Sequence, residues 1–207
     1  MKNILKIITI LKKAYPGAKI ALNYGNPVEI LVATILSAQC TDVTVNKVTE
    51  KLFKKYRSVK DYANAGIKQF EQDIKSTGFY HNKAKNIINT AKMILDKFGG
   101  KVPDTMDELI TLPGVARKTA NIVLSNAYGI VAGIAVDTHV RRLSLRIGLT
   151  KNDNPVKIEQ DLMELVPQSE WYNISNLLIE HGRNVCDAKK PLCSGCKLSG
   201  LCRKTGI

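Results

Sequence analysis

A β-strand needs a neighbour, because its backbone donors and acceptors point sideways and must be satisfied by another strand. Only residues 129–136 of this chain are β-prone, and no second comparable run is present to pair with them. Elsewhere the apolar residues recur at helical spacing. From Asn82 to Phe98, residues Ala84, Ile87, Ile88, Ala91, Ile94, Leu95 and Phe98 follow a 3.6-residue period that Gly99-Gly100 closes. Ile4, Ile7, Ile8 and Leu11 share one face of an N-terminal helix that must stop before Pro16-Gly17. Residues 28–38 are apolar nearly all round, as a core helix is. Thr41 or Asp42 can cap a helix carrying Val45, Val48, Leu52 and Phe53, and a shorter helix covers 67–75 before the turn Ser76-Thr77-Gly78. Asp104 is the expected cap of a short helix with Leu109 and Leu112. Further helices are predicted over 117–128, 138–147, 156–165 and 170–181. The fold class is all-α.

Charge narrows the partners. Thirty-one Lys and Arg oppose eighteen Asp and Glu, a formal net charge of +13. Such an excess steers polyanions and releases counterions from phosphates, so nucleic acid leads and an anionic membrane surface comes second. The apolar N-terminal run is broken by Lys6, closed by Lys12 and Lys13, and followed by no small-residue cleavage pattern, which argues against a signal peptide. No stretch approaches the roughly 20 apolar residues of a membrane span. A soluble, intracellular protein (cytoplasm and nucleoid) with no membrane association is expected.

Residues 107–124 carry the sharpest local signal. Leu109 and Leu112 end one helix, Pro113-Gly114-Val115-Ala116 make a tight turn, and Ala120, Val123 and Leu124 set the apolar face of the next. Pro113 has a fixed φ and Gly114 is free to take a positive one. The first amides of the second helix lack intrahelical partners and carry the positive end of its dipole, which suits a phosphate. Lys118 falls in that first turn. The dipole there, together with partial burial, disfavours the ammonium form, and a neutral amine attacks sugar carbons and forms Schiff bases. A phosphate-neutralising lysine is the plainer reading of the same residue. About twenty residues on, Asp137 follows an apolar run: it is a helix cap, or a carboxylate that stabilises positive charge and moves protons. Arg141 and Arg142 add charge for a nucleic-acid backbone.

Four of the five cysteines fall in the tail, at Cys186, Cys193, Cys196 and Cys202. Thiolates gathered in one short loop point to a metal centre rather than a disulfide scaffold. Only Cys193 and Cys196 form the tight pair that structural zinc uses twice, so the spacing favours a [4Fe–4S] cluster. Lys189, Lys190, Lys197, Arg203 and Lys204 surround these ligands and make a basic loop. Cys40 stands apart and is expected to be a small buried residue.

Leu112-Pro113-Gly114-Val115-Ala116-Arg117-Lys118-Thr119-Ala120-Asn121, Ala135-Val136-Asp137-Thr138-His139 and the cysteine spacing together resemble endonuclease III, in the helix-hairpin-helix DNA glycosylase superfamily. The segments 36–42, 75–80 and 181–183 are also similar to that family's, in the same order, so the resemblance covers nearly the whole chain. It implies two helical domains flanking a DNA-binding cleft: residues 20–132, with the helix-hairpin-helix at about 107–126, and residues 1–19 plus 133–207, with the cluster loop at 186–202. It implies a monomer acting on double-stranded DNA that contains damaged pyrimidines or abasic sites. The activity implied is a bifunctional glycosylase and abasic-site lyase that excises oxidised pyrimidines through a Lys118 Schiff base and cuts 3′ by β-elimination. By the same resemblance Asp137 is catalytic, Gln39 fills the gap left by the flipped nucleotide, Phe79 is an apolar wedge, and Gly114, Ala116 and His139 contact DNA. Read without it, Gln39 is a solvated helix-end residue, Phe79 a core aromatic and His139 a structural histidine.

Two positions depart from the family pattern. Ala116 stands where a second hairpin glycine is usual, which is costly only if that backbone needs a positive φ. Phe79 replaces a more usual aliphatic residue. Relatives that remove mismatched bases without cutting lack a lysine at the position of Lys118. A non-catalytic hairpin module would not need Lys118 and Asp137 together, and an electron carrier would not need so large a basic helical body.

Overall fold

The computed structural model describes residues 2–207, which contain α-helices, short 3₁₀ turns and no β-strand. The residues 129–136 run as irregular chain. The protein divides into two compact units, Ala21–Ala132 and a second that joins the segment ending at Ile20 to Gly133–Ile207.

In the first unit, α2 (Pro27–Leu36) is the central rod, buried continuously from Ile30 to Leu36. Asn26 caps it by accepting from the Glu29 amide, and Pro27 sits where its missing N–H is harmless. α3 (Asp42–Lys55) starts at Thr41, whose hydroxyl accepts from the Thr44 amide. α5 (Ile67–Ile74) is tied to the end of α3 by Asp73, which accepts from Lys55 Nζ at 2.6 Å and from the Tyr56 hydroxyl at 2.9 Å. Between them lies α4 (Val59–Ala63), a helix too short to show periodicity, started by a reciprocal Ser58–Asp61 capping box. α6 (Tyr80–Phe98) ends at Gly99, which takes the left-handed conformation. The rings of Tyr56, Tyr62 and Phe70 pack together within 6.0 Å of one another. α7 (Met106–Leu109) is capped by Thr105 and not by Asp104. The Thr105 hydroxyl accepts from the Glu108 amide and donates to the Glu108 carboxylate, a reciprocal arrangement open only to the residue next to the helix. α8 (Arg117–Ala127) packs against α2.

In the second unit, α1 (Lys2–Ala14), α9 (Thr138–Ile147), α10 (Pro155–Leu165) and α11 (Trp171–Asn184) share one core. Ile7, Leu11, Val140, Leu143, Leu162 and Leu178 lie at its centre. Cys186 and Leu198 belong to it too, so the cysteine-rich tail is anchored on a core it does not build itself. Among the described residues, no helix is long and apolar enough to cross a membrane.

Candidate functional site

The turn between α7 and α8 is held from beneath by α6. Thr90 donates to the Pro113 carbonyl at 2.8 Å, and Gly114 has a φ of +76°. A Cβ on Gly114 would stand 2.8 Å from Asn86 Nδ2, so backbone conformation and close approach both demand glycine. Ala116 has φ −94° and ψ 170°, ordinary extended backbone. A second glycine is therefore not needed there, and the departure at Ala116 carries no strain. Ala116 is the N-cap of α8, and no side chain caps this helix. In α2, α3, α4, α7, α9 and α10 the N-cap side chain accepts from a first-turn amide. α5, α6 and α11 start without a side-chain cap as α8 does, and at α8 this leaves the first-turn amides not taken by an N-cap side chain. Lys118, the second residue of the helix, is exposed. The partial burial expected for it is absent, because the turn residues before it leave its side chain open to solvent.

Gln39 and Phe79 share an unusual backbone. Their φ values are +51° and +47°, a region that bulky residues seldom occupy, and both side chains are exposed. Phe79 is 63 % exposed, so it is not a core aromatic. Cys40, next to Gln39, is only half-buried, contrary to expectation, because it lies in the turn after α2 and not on its buried face.

Asp137 is the N-cap of α9, its carboxylate accepting from the Val140 amide at 2.8 Å. His139 is half-buried, its Nδ1 3.2 Å from Arg142 Nη2, and a Cβ on Gly182 would meet that ring nitrogen at 2.7 Å. Arg141 and Arg142 both have partners within the protein. Arg141 pairs with Asp153, while Arg142 donates to the carbonyls of Gly182 and Cys186. One turn on, the buried Arg146 donates to the carbonyls of Asp187 and Ala188 at 2.6 and 2.8 Å. α9 therefore runs from Asp137 at its start to the cysteine loop at its end.

Cys186, Cys193, Cys196 and Cys202 line one cavity with Ile147, Val185, Leu192 and Leu198. All are free thiols. No three His, Cys, Asp or Glu side chains among the described residues gather closely enough to hold a single metal ion. Four cysteine thiols lining one cavity are a donor set suited to a metal–sulfur centre. His181, buried, lies with Nε2 3.4 Å from Cys196 Sγ and Nδ1 3.0 Å from the Tyr15 hydroxyl. Burial pushes the His181 pKa down, and burial likewise pushes the Cys196 thiol up.

A model of the HhH-GPD superfamily of base excision DNA repair proteins matches residues 32–168. Over 197 residues the chain is 57 % identical to endonuclease III of Synechocystis sp., covering 95 % of this chain and 90 % of that protein. The chain belongs to the endonuclease III family. Endonuclease III of Bacillus subtilis is 49 % identical over 191 residues, covering 92 % of this chain and 87 % of that one. The solved structure of a trapped endonuclease III–DNA covalent intermediate superposes with a TM-score of 0.94 at 46 % identity, covering 98 % of this chain and 95 % of that one. As a member of the endonuclease III family, the protein is a base-excision DNA repair enzyme.

Sequence reasoning passed over one residue in this endonuclease III fold. Lys83 is only 4 % exposed, and its ammonium donates to the carbonyls of Leu36 and Thr77 at 2.7 and 2.8 Å. Its place beside Ala84 and Ile87 on the apolar face of α6 was the signal available in the sequence.

Proposed function

We propose that this enzyme excises oxidised pyrimidines from duplex DNA and cuts the strand 3′ to the resulting abasic site by β-elimination, with Lys118 as the nucleophile. The damaged nucleotide must leave the stack, since its C1′ is out of reach inside the duplex. The neutral Lys118 amine bonds to C1′ as the glycosidic bond breaks, and the base departs with the bonding electrons. Ring opening gives the Schiff base. Removal of a C2′ proton then expels the 3′ phosphate. Asp137 is the carboxylate that stabilises developing positive charge on the sugar and takes up protons. The start of α8, with Gly114 and Ala116, receives a DNA phosphate on amides that no N-cap side chain takes. Gln39 and Phe79 occupy the space vacated by the flipped nucleotide. For His139, packing against Gly182 favours a structural role over a direct DNA contact.

Cys186, Cys193, Cys196 and Cys202 would hold a [4Fe–4S] cluster. When bound, that group supplies a covalent cross-link that orders the basic tail rather than a step of the reaction. The observation that carries the reading is the uncapped start of α8 with the exposed amine of Lys118 in its first turn.

Borohydride should trap a covalent adduct between the protein and an oxidised-pyrimidine duplex, and Lys118→Gln should abolish it. Undiminished trapping by that variant would remove the central claim. Protein purified without oxygen should be coloured and contain iron; a colourless, zinc-containing protein would overturn the cluster assignment.

A further inference from the structure

Lys83 is a costly residue where it stands. A buried ammonium loses its hydration, and burial pushes its pKa down from the ordinary lysine value. It also lies in the first turn of α6, at the dipole end that disfavours cations. Both oxygens that receive it are neutral backbone carbonyls. A methionine or leucine would fill the same volume of core at lower cost.

What the ammonium joins explains its presence. The Leu36 carbonyl closes α2, and Gln39 follows in the left-handed region. The Thr77 carbonyl ends a 3₁₀ turn whose last residue, Thr77, is buried, followed by Gly78 at φ +68° and Phe79 at φ +47°. The Lys83 amide also donates to the Phe79 carbonyl at 3.1 Å. One residue therefore fixes the chain just before Gln39 and on both sides of Phe79. Strained backbone of this kind persists only where the surroundings over-determine it.

We propose that Lys83 is a positioning residue that locks the Gln39 turn to the Phe79 turn, so that the two side chains enter the duplex as one pre-set pair. This rests on the reading above that Gln39 and Phe79 fill the vacated space. Lys83 touches neither substrate nor the reacting atoms.

Lys83→Met removes both donors and keeps the volume. Two rates are compared at saturating enzyme: single-turnover excision from an oxidised-pyrimidine duplex, and borohydride trapping on a single-stranded abasic oligonucleotide, which has no opposite strand to enter. The duplex rate should fall about tenfold more than the single-strand rate, as small misplacements of a positioned group do. In a wild-type background Gln39→Ala and Phe79→Ala should each slow the duplex reaction. In the Lys83→Met background each should lose most of its effect. If neither alanine variant slows the duplex reaction, the gap-filling reading fails. If both slow it while Lys83→Met leaves the two rates in the wild-type ratio, the clamp alone is overturned.

Should Lys83→Met not fold, amide hydrogen exchange on the wild-type protein decides. Residues 37–40 and 77–79 should open together and become protected together on a lesion duplex. Independent opening of the two segments overturns the proposal.

Discussion

The Asp137 carboxylate accepts a hydrogen bond from the Val140 amide and so starts the helix whose far end holds the cysteine loop. Cap and catalyst are separable at this residue. Asparagine caps as well as aspartate, whereas alanine loses about 1 kcal/mol. Asp137→Asn should therefore unfold at the wild-type temperature, while Asp137→Ala unfolds several degrees lower. Both should excise on the order of 10²–10⁴ times more slowly if the charge moves protons. Thermal melts beside single-turnover kinetics check this; an active Asp137→Asn would leave Asp137 as a cap alone.

Ala116 leaves the start of α8 uncapped. Ala116→Ser would offer a hydroxyl to the same amides and should stabilise the fold by about 1 kcal/mol. The gain should come with weaker binding to duplex DNA, because cap and phosphate compete. Calorimetric unfolding and a binding titration at fixed salt test the pair. A stabilised variant that binds DNA as tightly as wild type would show that those amides are not the phosphate site.

Phe79 holds a left-handed backbone with its ring largely in solvent. Phe79→Gly relieves strain of roughly 1–2 kcal/mol, partly offset by the extra freedom of glycine in the unfolded chain. Stability should stay level or rise, and duplex excision should fall. Marked destabilisation in a melt would mean that the ring supports the fold rather than the reaction.

Asp73 gives a pH-dependent test within the first unit. Burial works against its ionised form, but hydrogen bonds from Lys55, Tyr56 and Gln69 outweigh it and hold the carboxyl below its usual range. A lowered folded pKa contributes stability that is present above the unfolded value of about 3.9 and lost as pH falls through the folded one. Asp73→Asn should cost about 1 kcal/mol near neutral pH. The difference from wild type should vanish in denaturant melts taken well below about pH 4. A constant penalty across that range would assign it to packing instead.

The helices were legible because their signals are local. The apolar period of α6 and the Gly99 stop lie within a few turns of chain, and so does the Pro113-Gly114 turn. α4 escaped because five residues are too few for a period, although Ser58 and Asp61 spell its capping box. The wrong cap for α7 came from two neighbouring candidates, Asp104 and Thr105, which only the backbone at Thr105 separates. Arg142 read as backbone-binding charge because nothing near it in sequence shows the carbonyls it serves.

The sequence by itself determined the all-helical class, the hairpin that leads to Lys118, the carboxylate of Asp137 and the set of four thiols. Only the tertiary structure decided that Lys118 is exposed, that Ala116 needs no glycine, and that Gln39 and Phe79 are strained. It alone showed Lys83 buried between Leu36 and Thr77. The reason is physical. A period or a cap is written in residue types close along the chain, whereas every residue carries a carbonyl, so the sequence can put Lys83 on an apolar helix face but cannot show which distant carbonyls its charge serves.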